Sequence, residues 1–165
     1  EGRTGCGLCG IENMKDAIRM PSSVLPAVEL RPQAVARAYE QLPAHQPMSR
    51  VNRTVHAAAW CSVDGEILLS REDVGRHNAL DKLIGALGRN PQPQGAVVLT
   101  SRVSIDMVQK VAAFGAPILI AVSAPTAHAV RTADAAGITI AALARGTGFD
   151  LFTHPERIDG GHNVA

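Results

Sequence analysis

The stretch Val55-His56-Ala57-Ala58-Ala59-Trp60-Cys61-Ser62-Val63-Asp64-Gly65-Glu66-Ile67-Leu68-Leu69-Ser70 decides the fold. Two apolar runs, residues 55–63 and 66–70, flank Asp64-Gly65, a pair that supplies the positive backbone angles of a tight type I′ turn. An antiparallel hairpin is expected there. Beyond it the pattern changes to an alternation of helix and strand. Residues 78–87 place Leu80, Leu83, Ile84 and Leu87 on one helical side, with Gly88 where the helix would close. Residues 95–99 read as a short buried strand. Ser104 can cap the next helix, whose face of Met107, Val108, Val111 and Ala112 ends at Gly115, and residues 117–122 form a wholly apolar strand. Thr126 caps a further helix that ends at Gly137. Residues 138–143 read as another strand, and 150–153 as a last extended piece. The order β-β-α-β-α-β-α-β implies a mixed sheet with helices on both faces and right-handed crossovers.

Upstream of the hairpin, Ala34, Val35, Ala38, Tyr39 and Leu42 recur at helical steps, with Pro32 in the first turn and Pro43 at the end. Residues 44–52 read as loop. Residues 11–19 carry a weak helical pattern that stops before Pro21. A break at residue 31 is expected, between a loop and connector at 1–31 and an α/β domain at 32–165.

Composition bounds what this fold can do. The 165 residues are 46% hydrophobic with few aromatics, so the core must be aliphatic. A formal net charge of +1 gives no global drive toward nucleic acid or an anionic membrane. Any anion site must come from locally placed Arg, His and backbone N–H groups. No apolar run reaches a membrane-spanning length, and three cysteines argue against a disulfide-stapled secreted domain. A soluble protein of the reducing cytoplasm is the expectation. The chain opens at Glu1 without Met and reads as a piece of a longer protein.

Two of the cysteines sit in Gly5-Cys6-Gly7-Leu8-Cys9-Gly10. Flanking glycines leave the sulfurs poorly covered, the setting of a reactive thiol loop. Spacing alone leaves three uses open: half a zinc site, a redox disulfide, or a persulfide-carrying pair. A structural zinc needs four ligands, and no second pair follows. His56 and Cys61 cannot complete the site, because residues five apart on a strand face opposite ways. No zinc is expected.

Ligands of such sheets bind at the carboxyl ends of the strands. There the sequence places Arg76 and His77, then Arg102 and Ser104, then Arg145. Each loop offers Arg or Gly beside hydroxyls or a helix N-terminus, which suits a phosphorylated ligand.

Four segments together resemble the formate dehydrogenase accessory sulfurtransferases, the FdhD/NarQ family: TGCGLCG (4–10), EDVGRHNALDKLIG (72–85), SRVSIDMVQK (101–110) and ARGTGFDLFTHPERI (144–158). The resemblance spans nearly the whole chain and implies an N-terminal β-rich portion that this sequence lacks. It implies a sulfur carrier that takes persulfide sulfur from a cysteine desulfurase and passes it to the molybdenum bis(molybdopterin guanine dinucleotide) cofactor of formate dehydrogenase. The persulfide cysteine would be Cys6, with Cys9 assisting. Phe152, Thr153, His154, Pro155, Glu156 and Arg157 match the family's cofactor-contacting stretch. A homodimer is implied as well.

The resemblance also implies a cytidine-deaminase-like three-layer sandwich. A zinc deaminase opens the helix after its hairpin with His-x-Glu and the next helix with Pro-Cys-x-x-Cys. Here the text is His77-Asn78-Ala79 and Arg102-Val103-Ser104-Ile105-Asp106, which lacks both the general acid/base Glu and the metal thiolates. Deamination is therefore excluded despite the scaffold. Two other readings stand beside the sulfurtransferase. One is a non-catalytic chaperone of the cofactor; the other, a thioredoxin-like oxidoreductase, is disfavoured because the Cys pair precedes the whole α/β region.

Overall fold

The computed structural model describes residues 27–145 and 148–158, the side chain of Arg145 excepted. Its six strands form one sheet in the order β2-β1-β3-β4-β5-β6. The first hairpin pairs β1 (His56–Ser62) with β2 (Ile67–Asp73), and β1 also runs antiparallel to β3 (Gly95–Leu99). Strands β3, β4 (Ile118–Ala121) and β5 (Thr139–Arg145) are parallel, and β6 (Gly148–Thr153) returns antiparallel along β5. The expected mixed sheet with helices on both faces is what the chain forms.

Strand alternation divides the core between two faces. On one face Ala58, Trp60, Val97, Leu99, Leu119 and Ile140 meet α3 (Arg76–Arg89), α4 (Ile105–Phe114) and α5 (Ala127–Ala135). The opposite face carries Ala59, Cys61, Val98, Ile118, Ile120 and Ala141 against α1 (Pro32–Gln41), together with Val28, Leu30 and Ile158. Leu30 bridges Ile158, so the segment before α1 is already packed into this layer. Most of these side chains are small or aliphatic, which lets helices approach closely. The large ring of Trp60 is accommodated edge-on to Phe114, with centroids 5.9 Å apart, and its Nε1 donates to the Pro93 carbonyl.

Several boundaries depart from the sequence reading. Residues 44–52, expected as loop, form a 3-10 turn (Leu42–His45) and the short helix α2 (Pro47–Asn52). The cause is remote: the Glu72 carboxylate accepts from the N–H groups of Met48 and Ser49, each at 2.8 Å. Strand β2 continues to Asp73, because Arg71, Glu72 and Asp73 pair with Ala58, Ala57 and His56. Helix α3 passes through Gly88 to Arg89. The hairpin turn is not type I′. Only Gly65 has positive φ (80°), and its N–H donates to the Ser62 carbonyl while the Ser62 N–H donates to Glu66. That is a three-residue loop, a type I turn closed by a left-handed glycine. Gly65 is also required for space, since a Cβ there would lie 2.1 Å from the Ala34 carbonyl oxygen.

Candidate functional site at the carboxyl rim of the sheet

Strands β2, β3 and β4 run in the same direction, so their carboxyl ends share one rim. Helices α3, α4 and α5 each begin there. Their N-termini direct free N–H groups and the positive ends of their dipoles toward it. Two of the rim loops are tied together: Val103 bridges Pro125, and the Thr126 N–H donates to the Val103 carbonyl. On β1, the Ala57 N–H donates to Thr100 Oγ1 at 2.9 Å, fixing the exit of β3.

The start of α3 is held by Asp73. Its Oδ1 accepts from the Gly75 N–H at 2.9 Å and from Asn78 Nδ2 at 3.2 Å, and its Oδ2 pairs with Lys82. The Lys82 hydrogen bond, followed by those from Gly75 and Asn78, lowers the Asp73 pKa to about 2. This clamp sets the backbone from which Arg76 and His77 project. Arg76 Nε is fully buried and has no hydrogen-bond partner among the described residues. A buried donor without an acceptor is costly, and an anionic oxygen at the rim would satisfy it. His77 is partly buried; that burial, then the adjacent Arg76 charge, lowers its pKa, with Asp106 opposing. That shift favours the neutral imidazole. At the head of α4, Ser104 occupies the N-cap position, but its hydroxyl does not cap the helix. Ser104 Oγ lies 3.4 Å from Asp106 Oδ2 and leaves the first N–H groups of α4 free of a side-chain acceptor. Arg102 is exposed beside it, and Arg145 ends β5 at the same end of the sheet.

The second set of expected cofactor residues lies elsewhere. Thr153 pairs with Ile140 near the amino end of β5, so the turn that follows sits at the opposite end of the sheet from Arg145. Six residue steps along β5 separate the two ends, roughly 20 Å of strand. In that turn every polar side chain named from the sequence is used within the protein. Thr153 Oγ1 accepts from Ile140 N–H at 2.9 Å and donates to the Ile138 carbonyl at 2.7 Å. His154, at a left-handed φ of 47°, sits between the Asp134 carbonyl and Glu156 Oε1, both at 2.9 Å. Arg157 Nη1 donates to Thr139 Oγ1 at 3.3 Å. Phe152 packs against the core beside them, and Pro155 begins the closing 3-10 turn (Pro155–Arg157). Burial opposes charging His154, yet the Asp134 carbonyl and Glu156 outweigh it and raise its pKa. The chemistry is simple: both partners are acceptors, so both ring nitrogens are best served as donors, and that is the imidazolium.

Cys6 and Cys9 lie outside the described residues. Cys61 is fully buried in the α1 face, on the side of β1 opposite Trp60, and desolvation pushes its thiol up to about 12. It is a packing residue. Sequence reading missed the Asp73–Lys82 clamp and the Glu72 anchor, although both fall within the segment 72–85. A carboxylate in a charged run does not reveal which backbone it will hold.

The FdhD/NarQ family model matches residues 1–159, which include Cys6, Cys9 and both ends of the sheet. The chain is 49% identical over 161 residues to the sulfur carrier protein FdhD of Variovorax paradoxus strain S110, covering 96% of this chain and 58% of that protein. It is 47% identical over 159 residues to the sulfur carrier protein FdhD of Cupriavidus necator, covering 95% and 55%. The chain thus spans little more than half the length of the curated relatives it matches. Among solved structures it resembles a chain described as a formate dehydrogenase accessory protein from Desulfotalea psychrophila, with a TM-score of 0.76 and 30% identity over 83% of this chain and 60% of that one. With the family model matched from the cysteine pair to the last described turn, the chain belongs to the FdhD/NarQ family.

Proposed function

We propose that this protein is a sulfurtransferase that carries persulfide sulfur on Cys6 from a cysteine desulfurase to the molybdenum bis(molybdopterin guanine dinucleotide) cofactor destined for formate dehydrogenase, in the cytoplasm. The observation that carries this reading is the family match across Cys6 and Cys9, together with relatives named as sulfur carriers. In the first step the Cys6 thiolate attacks the outer sulfur of the donor's persulfide. The S–S bond to the donor breaks, the donor cysteine leaves as thiolate, and Cys6 holds the new persulfide. In the second step the electron pair of a nucleophile on the cargo attacks the outer sulfur, the S–S bond to Cys6 breaks, and Cys6 leaves as thiolate. Cys9, three residues away, is placed in sequence to assist that release.

The cofactor is cargo, and the rim suits its anionic ends. Arg76 offers a buried donor without a partner, Arg102 and Arg145 lie at the same end, and α4 presents free N–H groups beside Ser104. A neutral His77 adds a donor without adding charge. The turn from Phe152 to Arg157, which the resemblance names for the same cargo, is knit internally at the other end of the sheet, so we assign the diphosphate groups to the rim.

Transfer reconstituted with a cysteine desulfurase tests the reading. Cys6→Ala is expected to abolish sulfur delivery, whereas Cys61→Ala leaves it intact. Undiminished delivery by Cys6→Ala would remove the persulfide assignment, and cofactor binding without any sulfur uptake by the wild type would favour a non-catalytic chaperone.

A further inference from the structure

An open cavity of about 270 Å³ lies on the segment that reads as loop in the sequence, lined by Pro43, Gln46, Ser49, Arg50 and Arg53. Gln46 is only 9% exposed, yet its side-chain amide has no hydrogen-bond partner among the described residues. Its backbone, by contrast, is fully used: the N–H donates to Pro43 and the carbonyl accepts from Arg50. The amide reaches solvent only through the cavity it lines, so its donor is free for a ligand there. Arg50 and Arg53 flank it, and neither forms an ion pair with a described residue. Arg53 moreover adopts a left-handed φ of 54°, a conformation that disfavours any side chain with a Cβ.

We propose that Gln46, Ser49, Arg50 and Arg53 form an oxyanion-binding site for a phosphate group, beside the β2 edge of the carboxyl rim and built from residues that the sulfur-transfer reading does not use. Two guanidinium groups supply charge and planar forks, while the Gln46 amide and Ser49 hydroxyl supply neutral donors. No carboxylate lines the cavity; the Glu72 carboxylate behind it accepts from the N–H groups of Met48 and Ser49, and its single negative charge is opposed by the two guanidinium charges of Arg50 and Arg53. The phosphate could arrive as the free ion or as the end of a nucleotide.

Titration of the full 165-residue chain with inorganic phosphate and with guanosine monophosphate, followed by amide NMR, tests the proposal. Saturable shifts centred on residues 46–53 are expected, with a dissociation constant of about 1 mM or below for a site of exposed arginines. Tighter binding of the nucleotide identifies the phosphate as a nucleotide end; equal binding identifies the free ion, and both outcomes support the site. Arg53→Gly removes one fork and relieves the left-handed backbone, so it should fold at least as stably as the parent and bind about tenfold more weakly. Gln46→Met keeps the volume, removes the amide donor, and should also weaken binding. Shifts spread over all surface arginines, or binding unchanged in both variants, would overturn the proposal. Because the readout is confined to residues 46–53, its failure leaves the rim and the sulfur chemistry untouched.

Discussion

Three ionisable residues of this protein are set by their immediate neighbours, and each yields a prediction. Asp73 holds the Gly75 N–H, Asn78 and Lys82, and its pKa falls to about 2. A carboxylate depressed in the folded state stabilises the fold above its ordinary pKa of about 4 and loses that contribution as pH falls toward 2. Asp73→Asn should therefore be less stable than the parent at neutral pH, and the two urea midpoints should converge in strong acid. A constant gap across that range would show that Asp73 acts through something other than its charge. His154 has the opposite sign. With its pKa raised by the Asp134 carbonyl and Glu156, it stabilises the terminal turn below about 6.5, and this is lost as pH rises through the folded value. NMR titration of its ring should give a pKa above 6.5 that drops in Glu156→Gln. Cys61, with a thiol pushed up to about 12, should resist alkylation until the protein unfolds.

At the scale of elements, remote contacts decide what local pattern cannot. Helix α2 is anchored by Glu72, so Glu72→Ala should cost about 1.5–3 kcal/mol and release hydrogen-exchange protection in residues 47–52 ahead of the sheet. Unchanged protection there would mean that α2 stands without its anchor. Gly95→Ala would place a Cβ 1.8 Å from the Cys61 carbonyl oxygen and should destabilise by at least about 1–3 kcal/mol. The same distinction explains what the sequence made legible. Apolar runs buried on both faces marked β3 and β4, and Gly115 and Gly137 closed α4 and α5 at positive φ as expected. Thr126 capped α5 through Ala129 N–H, because that bond is local. By contrast, α2 depends on a carboxylate 23 residues away, β2 extends through charged residues because β1 pairs with them, and the Ser104 hydroxyl turns to Asp106. Each of these is a partner choice that no window of sequence contains. The rim itself was legible from strand order, whereas the distance between it and the Phe152–Arg157 turn was not, since it follows from β6 running back along β5.

Across the whole molecule, the sheet separates two ends with different characters. One gathers three helix N-termini, an Arg76 Nε that is buried without a partner among the described residues, and further arginines; the other carries the internally bonded His154. If the rim receives the cargo, guanosine diphosphate should bind there, and Arg102→Ala should weaken it by about 1.5–3 kcal/mol, one to two decades in affinity. Arg157→Ala should leave that affinity nearly unchanged while lowering stability. The reverse pattern in calorimetry would move the diphosphate site to the terminal turn. The proposed sulfur transfer rests on Cys6, which lies outside the described residues. The most direct measurement is therefore peptide mass spectrometry after incubation with a cysteine desulfurase and cysteine. The sulfur-carrier account predicts the added mass of one sulfur on the peptide containing Cys6, absent from Cys6→Ala and never found on Cys61. An unmodified Cys6, or only a disulfide between Cys6 and Cys9, would contradict it.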